Sequence, residues 1–324
     1  MRVRLPGFFD LQANGFAGVD FNAADLSAER AAAALDAMLL TGVTRVLPTL
    51  ITSPRDVFAR SARVLAQLAH PSIAGIHMEG PYISPEDGPR GAHPPAWVAP
   101  ASVDDFARRQ EAADGRIIMV TLAPEVAGAI ALIEHLAGTG VRVSIGHTAA
   151  SSQQIGDAIA AGATLATHLG NGCARLLPRH PNSIWDLLAA DRVSASFIVD
   201  GHHLPPATVK AMMRAKGAGR SVLVTDAIAA AAAPPGRYSI GTTVCESSAD
   251  GRVSLPATPY LAGSSLTMDR AVGNTVRFTG LALELVASMA STIPAACLGT
   301  APSGTVIADW NAERSELRIE KVER

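Results

Sequence analysis

Eight short runs of aliphatic and β-branched residues, each followed by a stretch with helical spacing, succeed one another along this chain, which restricts it to a parallel α/β fold. The pattern predicts strands at 7–13, 44–50, 73–79, 116–122, 141–147, 163–168, 193–199 and 221–226. Helices are predicted over 27–40, 54–68, 101–113, 126–138, 151–161 and 205–216. Ser27, with Glu29 nearby, and Ser53 before Pro54 read as helix starts; Gly42, Gly140, Gly162 and Gly217 read as stops. Eight strands is the number that closes a (β/α)8 barrel. A length of 324 residues suits one such barrel over 6–293, with a small β accessory segment from residues 1–5 and 294–324, better than two equal domains. Charged residues make up only 17% of the chain, as expected where strands are buried on both faces.

The strand ends carry the functional signal. Strand one runs into Gln12 and Asn14, strand three into His77 and Glu79, and strand five into His147. Strand six ends at His168 and then Asn171, strand seven at Asp200 and His203, strand eight at Asp226. In a barrel these ends converge on one face, where the βα loops build active sites. Any one of these residues is explained by a strand leaving the core. A set that supplies a carboxylate, two imidazoles and a further acid together points to chemistry.

Glu79, His147 and His168 are the residue types that hold a divalent transition metal and leave a position open for water. Zinc lowers the pKa of its water to about 7 and polarises carbonyls. Asp226 is suited to take a proton from that water and return it to a leaving nitrogen. Spacing alone leaves open the alternative that these are ordinary buried histidines, because the residues are far apart in sequence.

HMEGPY (77–82), GAH (91–93), LAPE (122–125), SIGHTAAS (144–151), ATHLGN (166–171), VDGHH (199–203), VLVTDA (222–227) and LAGSSLTMD (261–269) occur in one ordered series. The series resembles the signatures of N-acetylglucosamine-6-phosphate deacetylases, in the amidohydrolase superfamily, over roughly residues 6–300. The resemblance implies a TIM-like barrel with a small β domain built from both chain ends. It implies metal ligation by Glu79, His147 and His168, catalysis by Asp226, and a carbonyl-polarising role for His93. It also implies substrate contacts from Ala92, His93, Asn171, Gly172, Arg179, His203, Leu261, Ala262 and Gly263. Many superfamily members carry a His-x-His pair at strand one for a second metal. Gln12 and Asn14 stand there, and amides are poor transition-metal ligands, so one divalent ion is expected, zinc first and ferrous iron second. The implied reaction is hydrolysis of N-acetylglucosamine 6-phosphate to glucosamine 6-phosphate and acetate, by a homodimer. The rival readings are an amidohydrolase acting on another N-acyl amino sugar or on an unphosphorylated substrate, a catalytically silent barrel, and a two-metal enzyme bridged by a carboxylated lysine.

The match departs from the family in three places. The loop after Asn171 reads GCARLLPRHPNSIW, with Cys173, His180 and Asn182 at positions where the family has Met, Glu and Gly, which makes Arg175 an alternative to Arg179. Only six residues precede the first barrel strand, so the accessory β domain is expected to be reduced. AIAAAAAPPGRYSIG, directly after Asp226, reads as a mobile loop of the kind that forms lids. A net charge of −2 gives no field for nucleic acid or anionic membrane. The three cysteines, Cys173, Cys245 and Cys297, are widely spaced and form neither a disulfide framework nor a zinc motif. With no apolar leader or membrane span legible, a cytoplasmic setting is the expectation.

Overall fold

A computed structural model describes residues 1–258 and 260–324. Eight parallel strands pair in sequence order: Phe8–Ala13, Val43–Ile51, Ile76–Glu79, Ile117–Leu122, Arg142–Ile145, Leu165–Ala166, Ser194–Ile198 and Ser221–Val224. The eighth strand then meets the first. The Asp226 N–H donates to the Gln12 carbonyl at 2.9 Å and the Asn14 N–H to the Ala227 carbonyl at 2.7 Å. Helices intervene, among them Ala28–Leu39, Arg55–Gln67, Val103–Ala112, Ala129–Gly138, Ser152–Ala161 and Pro206–Lys216. The fold is the (β/α)8 barrel that the strand count requires.

Local chemistry explains where the helices begin and end. The Ser27 hydroxyl accepts from the Arg30 N–H, and Ser151 with Gln154 forms a reciprocal capping box. Pro54, not Ser53, occupies the cap position of the second helix, with no side-chain cap bond. Its fixed φ, here −50°, suits the entry to a helix and leaves Ser53 one residue outside.

The barrel interior holds more than aliphatic side chains. Ser144, Thr167, Thr121 and His77 form a buried chain of hydrogen bonds of 2.6, 2.6 and 2.8 Å. His77, counted above among the polar strand ends, faces this chain, and its Nδ1 lies 3.1 Å from the Leu11 carbonyl. Burial lowers its pKa to about 4, so it serves the interior as a neutral imidazole.

Asp10 is the other buried ionisable group near the seam. Its carboxylate accepts from the Thr225 hydroxyl at 2.5 Å and from the backbone N–H groups of Gln12 and Thr225, both at 3.2 Å. Burial nevertheless raises its pKa to about 7. A folded-state value above the unfolded one means that the group's contribution to stability is present at low pH and is lost as pH rises through about 7. Asp10→Asn is therefore expected to be more stable than the parent at pH 8, by up to about 4 kcal/mol, with the difference shrinking towards pH 5. Urea unfolding of both proteins across that range checks this; identical pH slopes would refute it.

Both chain ends contribute to an accessory sheet. Arg2–Pro6 pairs antiparallel with Thr305–Asn311, which pairs in turn with Glu316–Glu323. The segment after Asp226 departs from the mobile-loop expectation. Residues 227–231 are buried, and Gly236–Ile240, Thr243–Ser247 and Val253–Ser254 form a three-stranded antiparallel sheet. The small side chains fit the segment into the barrel mouth, where Ile228 and Ala230 pack with Ile51, Ile240, Cys245, Val253 and Ala262. Among the described residues, no helix is long and apolar enough to cross a membrane.

Candidate active site

The three candidate metal ligands and Asp226 stand at or just past strand ends, while His93 is supplied by the loop after the third strand. Glu79 is the last residue of its strand. His147, His168 and Asp226 each lie two residues beyond theirs, and each has a positive φ: 52°, 29° and 48°. Among the described residues only eight non-glycines do so, and three of them are these. Such backbone costs about 1–3 kcal/mol per residue and persists where the surroundings enforce it. The turns swing the three side chains over the barrel mouth.

The Glu79 Oε1, His147 Nε2 and His168 Nε2 atoms form a nearly equilateral triangle. Its sides are 3.3 Å from Glu79 to His147, 3.2 Å from Glu79 to His168, and 3.1 Å between the imidazoles. Bonds of about 2.0 Å around a tetrahedral ion set donors about 3.3 Å apart, so these three atoms fit one divalent metal. The tautomer of His147 agrees. Its Nδ1 lies 2.9 Å from the Pro89 carbonyl, which only accepts, so Nδ1 carries the proton and Nε2 presents its lone pair to the triangle. Burial works against the Glu79 charge, yet the two histidines hold its carboxyl well below the usual range. Gly172 seals the cluster from above: a Cβ there would come within 3.0 Å of His147 Nδ1 and 3.2 Å of His168 Cε1.

The triangle forms part of the wall of a cavity of about 440 Å³. Of the residues expected to contact substrate, Ala92, His93, Asn171, Gly172, His203, Leu261, Ala262 and Gly263 line it, together with Asp226. Arg179 does not. It is exposed, in a stretch where Asn182 donates back to the Pro178 carbonyl at 2.9 Å and caps the helix Ser183–Ala189. Arg175 lines the cavity instead.

His93 is fully buried, with Nδ1 2.9 Å from the Thr52 hydroxyl and Nε2 3.8 Å from Glu79 Oε2. Burial, reinforced by His147, lowers its pKa to about 3 and makes it a neutral hydrogen-bonding group at ordinary pH. His203 Nδ1 is held by Asp200 at 2.6 Å. Asp226 is also buried; burial, with Glu79 nearby, raises its pKa to about 6. Thr52 and the Pro89 carbonyl are not among the residues marked by the sequence. Thr52 follows directly on the second barrel strand, so the strand-end rule would have found it. A backbone carbonyl leaves no signal in a sequence.

Comparison with known proteins places the chain in a family. The sequence profile of the amidohydrolase family matches residues 3–312. The chain is 37% identical over 331 residues to the N-acetylglucosamine-6-phosphate deacetylase of Homo sapiens, covering 96% of this chain and 78% of that protein. It is 34% identical over 305 residues to the N-acetylgalactosamine-6-phosphate deacetylase of Escherichia coli O157:H7, covering 91% and 78%. A mutant N-acetyl-D-glucosamine-6-phosphate deacetylase of Mycobacterium smegmatis, solved in complex with N-acetyl-D-glucosamine 6-phosphate, superposes with a TM-score of 0.91 at 31% identity, covering 99% of this chain and 86% of that one.

Proposed function

Since this chain belongs to the amidohydrolase family, among the N-acetylglucosamine-6-phosphate deacetylases, we propose that it hydrolyses N-acetylglucosamine 6-phosphate to glucosamine 6-phosphate and acetate. The observation that carries this reading is the triangle of 3.1–3.3 Å between Glu79, His147 and His168, in one cavity with Asp226 and His93. Those three residues would hold one divalent ion, zinc in preference to ferrous iron, supplying Lewis acidity that makes a carbonyl carbon more electrophilic and water more acidic.

The chain's own groups do the rest. Asp226 receives a proton from the attacking water and delivers it to the amide nitrogen as the C–N bond breaks. Neutral His93 donates a hydrogen bond to the carbonyl oxygen as negative charge develops there. The backbone around Asn171 and Gly172, and the loop at Leu261, Ala262 and Gly263, confine the sugar. His203, steadied by Asp200, meets the phosphate, with Arg175 beside it. The family resemblance further supports a homodimer, which sedimentation of the purified protein would test, and a cytoplasmic setting, which cell fractionation would test.

Acetate release from a panel of N-acetyl sugars tests the substrate. Charge-assisted hydrogen bonds to phosphate are worth about 1.5–3 kcal/mol each, so kcat/KM for the 6-phosphate is expected to exceed that for free N-acetylglucosamine by at least about a hundredfold. Equal rates would remove the phosphate. The E. coli relative supports a second reading, in which the galacto epimer is the better substrate. N-acetylgalactosamine 6-phosphate belongs in the panel for that reason.

A further inference from the structure

Two amides at the end of the first barrel strand remain without a role in this scheme. Gln12 and Asn14 are each about 1% exposed. The Gln12 Nε2 donates to Glu79 Oε1 at 2.8 Å and to Asp226 Oδ1 at 3.1 Å. The Asn14 Nδ2 donates to the same Asp226 oxygen at 2.7 Å. Turning either amide over would set its oxygen against a carboxylate oxygen, so these donors are fixed by charge. Their own oxygens, Gln12 Oε1 and Asn14 Oδ1, are buried and accept no hydrogen bond among the described residues. Burying an amide with its oxygen unpaired is unfavourable, and a leucine would fill either site without that cost. Locally unfavourable choices of this kind concentrate where a site is being shaped.

Both donors converge on Oδ1. Among the described residues Asp226 Oδ2 accepts nothing, while Asp226 lines the cavity. The backbones are tied as well, through Asp226 N–H to the Gln12 carbonyl and Asn14 N–H to the Ala227 carbonyl. We propose that Gln12 and Asn14 are positioning residues: their amide N–H groups occupy Oδ1 of Asp226 and thereby turn Oδ2 towards the reacting atoms. Oδ2 is then the oxygen through which Asp226 exchanges its proton with substrate. Without the clamp the carboxylate rotates, and only one of its orientations is productive. The proposal rests on the acid–base role assigned to Asp226 above.

Asn14→Leu separates positioning from structure. The variant is expected to lose about 10–100-fold in kcat, with KM within about twofold of the parent. Metal content by mass spectrometry should be unchanged, and Tm within a few degrees of the parent, because removing the unpaired amide oxygen offsets the lost donor and Gln12 still donates to Oδ1. Asn14→Ser, which retains a short donor, should recover part of the lost rate; it also supplies the comparison if the leucine variant folds poorly. A kcat for Asn14→Leu within twofold of the parent would overturn the proposal. So would a joint fall of activity and Tm with no recovery in the serine variant, which is the pattern of a structural role. Asp226→Asn is assayed alongside. If that protein keeps the parental kcat, the acid–base reading itself fails; if it is inactive while Asn14→Leu runs at the parental rate, only the clamp is wrong.

Discussion

Replacing Asp226 with asparagine is expected to lower kcat by about a thousandfold while leaving KM and metal content close to the parent. The substitution keeps the shape of the side chain and one oxygen, so Gln12 and Asn14 retain an acceptor for their amides. What it removes is the ability to carry a proton between water and the departing nitrogen. An amine is a poor leaving group until protonated, so the loss falls on the chemical step rather than on binding. Steady-state acetate release measures it, with direct titration of substrate into the variant as the binding control. A variant with near-parental kcat would remove Asp226 from the mechanism.

Glu79→Gln is expected to be more damaging. Glu79 Oε1 is the vertex shared by both imidazoles, at 3.3 and 3.2 Å, and it is the only anionic donor of the three. A neutral amide in its place is a poor transition-metal ligand. It also turns the Gln12 contact, 2.8 Å from amide to carboxylate in the parent, into one between two neutral amides. Metal content should fall from near one equivalent to below about a tenth, and turnover to background, more than about ten-thousandfold down. Mass spectrometry on protein purified without a polyhistidine tag reads the first, acetate release the second. A variant that retained a full equivalent of metal and normal turnover would show that the ion is held elsewhere.

Much of this architecture is legible in the sequence because parallel strands announce themselves. Runs such as IAGIHME and SVLVTD are largely apolar, and the polar residue that ends such a run marks where the chain leaves the barrel. That logic reaches Glu79, His147, His168 and Asp226 directly, since each sits within two residues of a strand end. It reaches less far in the long loops, where no periodicity links a residue to its destination. Arg179 matches a family signature yet lies outside the cavity, while Arg175, four residues earlier, lines it. The stretch after Asp226 misleads for a different reason. Alanines there carry no strand or helix signal, but their small volume is what allows residues 227–231 to pack beneath the antiparallel sheet. The tautomer of His147 and the unpaired oxygens of Gln12 and Asn14 depend on atomic contacts that no spacing rule contains.

The central claim is that three donors remote in sequence share one ion at the mouth of the barrel. An anomalous difference map at the zinc edge, from crystals grown with zinc chloride, tests it most directly. A single peak about 2.0–2.2 Å from Glu79 Oε1, His147 Nε2 and His168 Nε2 is the expected result. Two peaks, or one lying away from this triangle, would contradict it.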